Sequence, residues 1–440
     1  QVGLKSPSLD LQVNSTLQGM AWNLPAPLGK TAAASLPLRL DVTPIDVARS
    51  DKGPSQERLQ ERSQERLQER VRLALGRYLS AVYIREVADE PRVLQGLVQL
   101  GEPIVSDQAL PARGVAAAID MALLDADAWQ AVMDTGANAS SGSSSGSSSG
   151  GASAASNYMP RQINLKAQRA MWQGRTINKL NANLQRDGVQ WRAQVQAQEL
   201  QGQLAYTPPE GAQSGRLFAR LARLSLAAST AQEVETLLDE QPVSMPALDI
   251  VIDDLELRGK RLGRVEIEAV NRGASVRDAA REWQLQKFNV ISPEATFMAN
   301  GRWGSAPESR GRQEQRRTSM SFKLDMADGG ELLGRLGMKD VMRNAKGRME
   351  GQVGWSGSPI TPDYASMGGQ FNVNIESGQF LKADPGIAKL LGVLNLQALP
   401  RRLTLDFRDV FSDGFAFDFI RGDVKIDQGM ASTNNLQMKG

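Results

Sequence analysis

Apolar and polar side chains change places one residue at a time in run after run along this chain. Leu9-Leu11-Val13, Leu38-Leu40-Val42, Val115 to Leu123, Ile163-Leu165-Ala167, Leu180-Ala182-Leu184 and Trp191-Ala193-Val195 all alternate with smaller or polar neighbours. The pattern continues through Leu248-Ile250-Ile252, Val265-Ile267, Ala295-Phe297-Ala299 and Met320-Phe322-Leu324-Met326. Near the end come Phe371-Val373-Ile375, Leu403-Leu405-Phe407 and Phe415-Phe417-Phe419. A period of two puts successive side chains on opposite faces, so each run is a strand with one greasy and one wet face. Gly, Asn and Asp gather between runs, as in Arg186-Asp187-Gly188 and Asn271-Arg272-Gly273, which suits antiparallel hairpins. The expected fold is mainly β: a long, twisted antiparallel sheet.

Helices are few and short. Thr230-Ala231-Gln232-Glu233 and Asp328-Gly329-Gly330-Glu331 are capping boxes. Asp125 precedes a short apolar stretch with Trp129, and Asp384-Pro385 opens another whose stripe is Ile387, Leu390, Leu391 and Leu394. Starts near 125, 230 and 328 suggest weak repeats of several strands plus one crossing helix. Residues 55–70 are one octamer twice over, Ser-Gln-Glu-Arg-Leu-Gln-Glu-Arg. The expected division is a β-rich segment over 1–135 with a Gln/Glu/Arg helical insertion at 51–75, then a Gly/Ser-rich linker or loop at 136–157. A regular β-meander over 158–327 and a C-terminal segment over 328–440 follow.

Chemistry is limited by counting. The chain has no Cys and no His, so disulfides, thiolates, Ser-His pairs and His-ligated zinc are excluded. No metal site or cofactor is expected, and a net charge of +2 without a basic stripe gives no nucleic-acid partner. Gly29-Lys30-Thr31 lacks the upstream Gly of a phosphate loop, because Leu24 stands there. Asp253 and Asp254 are strand neighbours that point opposite ways, while Glu266 and Glu268 mark a wet face. No run of 18 apolar residues is present.

One region carries a recognisable motif. Gly378-Gln379-Phe380, Leu390-Leu391-Gly392-Val393-Leu394-Asn395-Leu396-Gln397, Leu399-Pro400-Arg401-Arg402-Leu403 and Leu405-Asp406-Phe407-Arg408-Asp409-Val410-Phe411 resemble the C-terminal region of the AsmA-like proteins. Gly414-Phe415-Ala416-Phe417-Asp418, Gly422-Asp423-Val424-Lys425-Ile426, Leu17-Gln18-Gly19-Met20 and Leu24-Pro25-Ala26-Pro27-Leu28-Gly29-Lys30 fit the same pattern. Within that family the chain is most like the large YhdP-type members. The resemblance implies movement of phospholipid between the two membranes of a diderm bacterium, without catalytic residues. It also implies a periplasmic location, with an inner-membrane helix carried by parts missing from this piece, and membrane partners reached through such parts.

Two architectures compete for such a pattern. In a β-sandwich the greasy faces would meet in a core. In an open trough, the sheet curls and its apolar face stays uncovered, which is tolerable only if a ligand occupies it. The long run of strands without a helical layer favours an elongated open trough, roughly 25 strands and on the order of 100 Å long. Phospholipid acyl chains are its expected partner. Candidate lipid contacts are Phe371, Val373, Ile375, Leu403, Leu405, Phe407, Phe415, Phe417, Phe419, Met320, Phe322 and Leu324. Trp172, Trp191, Trp283, Trp303 and Trp355 fit either a rim or a packed core. The rival functions are a scaffold or assembly factor for outer-membrane proteins, acting by strand addition, and a hydrolase that uses carboxylates alone.

Overall fold

The computed structural model describes residues 2–3, 10–45, 68–87, 91–101, 109–132, 157–172, 174–210, 214–226, 246–257, 259–272, 282–305, 316–359, 362–381 and 415–440. Strands dominate, and they fall into two units, Gln1–Gln198 and Glu199–Gly440.

The first unit contains β1 (Val2–Gly3), β2 (Asp10–Ser15), β3 (Leu38–Ile45), β4 (Gln68–Leu75), β5 (Leu79–Glu86), β6 (Arg92–Gly101) and β7 (Gly114–Asp125). Helix α1 (126–132) follows, then β8 (Gln162–Trp172), β9 (Arg175–Asp187) and β10 (Gln190–Gln196). Each strand pairs with the next in sequence, and β1 does not pair with β10, so this sheet is open. The register stacks Val13, Leu40, Leu73, Ala81, Val98, Ala117, Ile163, Leu184 and Ala193 in one apolar row across nine strands. At one end of the strands the 16–37 loop closes over this face. Leu28, Leu36 and Leu75 are buried there against Trp22, Leu38, Leu79, Leu100 and Trp129. Lys30 spends its ammonium on the carbonyls of Met20, Thr31 and Ala34, a structural role rather than a phosphate contact.

The second unit contains β11 (Leu200–Thr207), β12 (Arg216–Leu226), β13 (Ala247–Leu257), β14 (Lys260–Arg272), β15 (Glu282–Ile291), β16 (Ala295–Ser305) and β17 (Arg316–Met326). Helix α2 (Gly329–Arg335) separates these from β18 (Met342–Ser356) and β19 (Gly368–Phe380). The last strands are β20 (Phe415–Phe417), β21 (Phe419–Asp427), β22 (Met430–Ser432) and β23 (Gln437–Lys439). Neighbours pair from β11 to β19. Both β20 and β21 then pair with β19, and β22 and β23 share the far edge of β21. This sheet is open too: β11 does not pair with that edge.

Three junctions depart from the antiparallel expectation. The β6–β7, β7–β8 and β12–β13 pairs are parallel. A parallel neighbour needs a connection long enough to return to the starting end. Residues 102–113, 126–161 and 227–246 are the long connections that permit it. The low-complexity stretch therefore lies between paired strands of one sheet, and the division into units falls at 198/199. Residues 68–75, read in the sequence as part of a helical insertion, form β4 instead. Val71, Leu73 and Leu75 alternate there with Arg70, Arg72 and Ala74, and the neighbours β3 and β5 decide for a strand.

Both capped helices within the described residues form as expected. The Asp125 carboxylate accepts from the Ala128 amide at 2.9 Å, and Asp328 accepts from Gly330 and Glu331. The expected starts at 230 and 384 lie outside the described residues.

Candidate functional site

The strand register of the second unit gathers its apolar side chains into continuous rows on one face. One row runs Leu204, Ala219, Ile250, Ile267, Phe288, Ala299, Phe322, Gly351, Phe371 and Val424. The next runs Leu221, Ile252, Val265, Val290, Phe297, Leu324, Met349 and Val373. From Phe288 to Phe371 large and small residues alternate along the first row, so rings lean into the space that Ala299 and Gly351 leave open. The result is an aromatic ladder. Phe288 and Phe297 meet edge to face at 5.9 Å, Phe297 and Phe322 stack at 6.1 Å, and Phe322 and Phe371 lie 6.1 Å apart. It crosses four strand spacings, about 19 Å, at right angles to the strands.

Ile250, Ile267, Phe288, Phe297, Phe322, Leu324, Met349, Phe371 and Val373 are all only half-buried. Among the described residues no second layer of sheet or helix lies over these rows. The two ends of the strands are finished differently. At one end Trp283, Trp303, Thr318 and Trp355 form a cross-strand row that is 2–4% exposed. The Trp355 indole N–H donates to Ser358 O at 2.7 Å and the Thr318 hydroxyl to Gly357 O at 2.8 Å, while the Trp303 indole N–H is buried without a partner among the described residues. At the other end α2 crosses from β18 to the start of β14. Arg335 pairs with Glu294 in the β15–β16 turn and donates to the Arg261 carbonyl, while Lys260 donates to Leu336 O.

The opposite face is wet. Glu266, Asn289, Met298, Lys323, Glu350, Asn372 and Asp423 follow one another across it in register. Lys287 and Arg264 bond Glu266, each at 3.0 Å, and hold its carboxyl below the usual range. Lys323 and Arg348 do the same for Asp325, and the amides of Asn372 and Asn435 for Asp423. Asp253 pairs with Arg264 and Glu268 with Lys287, so with Glu266 three of the four carboxylates weighed as catalytic candidates serve as partners in a surface network.

The residues singled out in the sequence divide accordingly. Phe371, Val373, Phe322 and Leu324 lie in the two rows, and Ile375 continues their alternation opposite Gly347 and Ile420. Met320 shares the face but packs against the tryptophan cluster. Phe417 is buried at 3% exposure, 5.1 Å from Phe380, with its ring over Gly378. Phe415-Phe417-Phe419 is not one strand: the chain breaks at Asp418, whose amide donates to Lys439 O. Phe419 then alternates with Ile420, so it sits on the wet face beneath the Arg421 guanidinium, 4.9 Å away. Phe415 belongs to β20, whereas Leu403, Leu405 and Phe407 lie outside the described residues. Sequence reasoning passed over Ile250, Ile267, Phe288, Phe297, Met349 and Gly351 as site residues. Their alternation was visible, but only pairing shows that they join Phe322 and Phe371. Of the tryptophans, Trp283, Trp303 and Trp355 are core, while Trp172 is 46% exposed.

Comparison with known proteins adds two findings. The family model described as "YhdP protein" matches residues 1–440, the whole chain. A relative in Escherichia coli (strain K12), described as "Intermembrane phospholipid transporter YhdP", is 26% identical over 183 residues. That match covers 41% of this chain and 13% of the relative, so the chain corresponds to a small part of that protein. No solved structure matches.

Proposed function

The chain belongs to the YhdP protein family, the AsmA-like kind its C-terminal motif resembles, and on that premise we propose that it is part of a non-enzymatic conduit for phospholipid. Acyl chains ride the uncovered apolar face of the second unit, crossing the periplasm toward the outer membrane, with headgroups kept wet. The observation that carries this reading is the aromatic ladder: half-exposed rings set in apolar rows that cross ten strands, with nothing of the described protein laid over them.

Magnitudes support a lipid as the missing cover. Burying a methylene is worth about 0.8 kcal/mol, so two sixteen-carbon tails carry roughly 25 kcal/mol of aversion to water. Continuous rows of equivalent contacts suit a cargo that must stay shielded without stopping. The ladder's length is comparable to one leaflet's share of a hydrocarbon core of about 30 Å. A catalytic role fits less well, because Glu266 and Asp325 are held ionised by cations and are poor proton donors at neutral pH. Strand addition is also disfavoured. At the N-terminal edge of the first sheet β1 has two residues, and at the C-terminal edge of the second β22 and β23 have three each, so these edges offer little to extend. Anchoring to the inner membrane belongs to the same proposal.

The test is photocrosslinking of the purified chain with lipid vesicles. A benzophenone amino acid in place of Phe322 is expected to capture phospholipid, whereas the same group in place of Lys323, on the other face, is not. Equal labelling at both positions, or none at Phe322, would reject the conduit.

A further inference from the structure

The end of the first unit's strands opposite the 16–37 loop holds a cavity of about 730 Å³. It lies where β4 and β6 begin, lined by Gln68 and Arg92, and where β7 starts at Gly114. Apolar Val93, Val115 and Met159 share its lining with polar Gln68, Gln95 and Asn157. Val93 and Val115 continue the apolar rows, since Val93 pairs with Arg85 and Val115 with Gly96. Residues 157–161 pass over this end. The Arg161 amide donates to Val115 O at 2.8 Å, and the Tyr158 hydroxyl accepts from Arg85 at 2.8 Å while its ring meets Tyr83 edge to face at 5.2 Å. Arg85 is itself neutralised by Glu69 at 2.5 Å.

Three further arginines, Arg92, Arg113 and Arg161, line the cavity, and among the described residues no carboxylate does. All three are exposed, and no side-chain partner holds them among the described residues. Arg92 faces Glu86 across the β5–β6 pair, so Arg113 and Arg161 supply the uncompensated charge. Two guanidiniums on a cavity of mixed lining, next to the apolar rows, offer the two chemistries of a glycerophospholipid: rows for the fatty chains, arginines for the phosphate. Guanidinium forks match phosphate oxygens better than ammonium groups do. The volume is that of a ligand pocket rather than a packing defect.

We propose that this cavity is a headgroup station, in which Arg113 and Arg161 grip the phosphate of a phospholipid whose tails lie on the first unit's apolar rows. The proposal rests on the conduit reading and adds to it a site that selects phosphate-bearing lipids over neutral ones.

The intact chain and its R113Q/R161Q variant are loaded from detergent micelles containing either phosphatidylethanolamine or diacylglycerol with identical acyl chains. Retained lipid is measured by mass spectrometry after gel filtration. Wild type is expected to retain the phospholipid about tenfold better than diacylglycerol. The variant is expected to retain both equally, with diacylglycerol unchanged. Undiminished phospholipid retention by the variant overturns the proposal. So does a wild type that holds both lipids without preference, an outcome that leaves the conduit standing. A wild type that retains neither lipid removes the conduit and the station together. Complete displacement of the phospholipid by millimolar glycerol 3-phosphate would reassign the arginines to a soluble phosphate and likewise overturn the lipid assignment.

Discussion

Phe322 and Phe371 stand on strands that do not pair with each other, yet their rings lie 6.1 Å apart across Gly351. The strand between them, β18, carries no side chain at that point. A Cβ built on Gly351 would sit 2.5 Å from Phe371 Cα, closer than real contacts allow. Gly351→Val is therefore expected to lower stability by about 1–3 kcal/mol, the usual cost of overpacking. Urea denaturation measures it, and an unchanged midpoint would show that the rings do not depend on that gap.

Charge placed on the two kinds of phenylalanine-rich surface separates lining from core. Val373→Asp alters a half-exposed position in the apolar rows, so thermal melting is expected to stay near wild type while lipid retention falls severalfold. Phe417→Asp strikes a residue 3% exposed. It is expected to cost at least the roughly 3–5 kcal/mol of a large aromatic truncation in a core. If both variants melt alike, the distinction between the two sites is wrong.

The wet face makes stability depend on acid. Glu266, Asp325 and Asp423 have folded-state values held below their ordinary ones by the partners that bond them. A lowered folded value contributes stability that is full above the unfolded carboxylate range, about 4, and is lost as the pH falls through the folded values. Melting temperature is thus expected to be flat near neutrality and to drop below about pH 4. Asp325→Asn should make that drop shallower; an unaltered acid limb would show that these contacts are screened to nothing.

Helix α2 is fastened by an ion pair whose acid is hidden. Glu294 is 7% exposed, and Arg335 is its partner. Arg335→Ala leaves a buried carboxylate alone, for which about 3 kcal/mol is a reasonable cost. Hydrogen exchange is expected to rise first in 329–335; exchange spread evenly over the sheet would mean that the helix is held by other contacts.

Much of the architecture was legible because alternation is a local property. The parity of Met320-Phe322-Leu324 or Phe371-Val373-Ile375 is set by pleat geometry, and the strands form where it runs. The helix starts at Asp125 and Asp328 were equally readable, since a cap is made by residues three apart in sequence. The site was legible only in pieces. Phe288 and Phe297 look like any other strand aromatics until the register brings them to Phe322. The Phe419 parity failed because Asp418 interrupts the strand, a break with no signature in a Phe-Ala-Phe-Asp-Phe run.

By itself the sequence determined the strand content, which side chains share a face within each strand, the family, and the absence of any thiol or imidazole chemistry, all of them properties of residue identity and short-range spacing. Only the tertiary structure decided which strands run parallel, that Trp283, Trp303 and Trp355 close one end while the phenylalanines stay open, and that Arg113 and Arg161 converge on one cavity. Those outcomes depend on pairing between residues far apart in the chain and on what packs above them, and no local pattern encodes either.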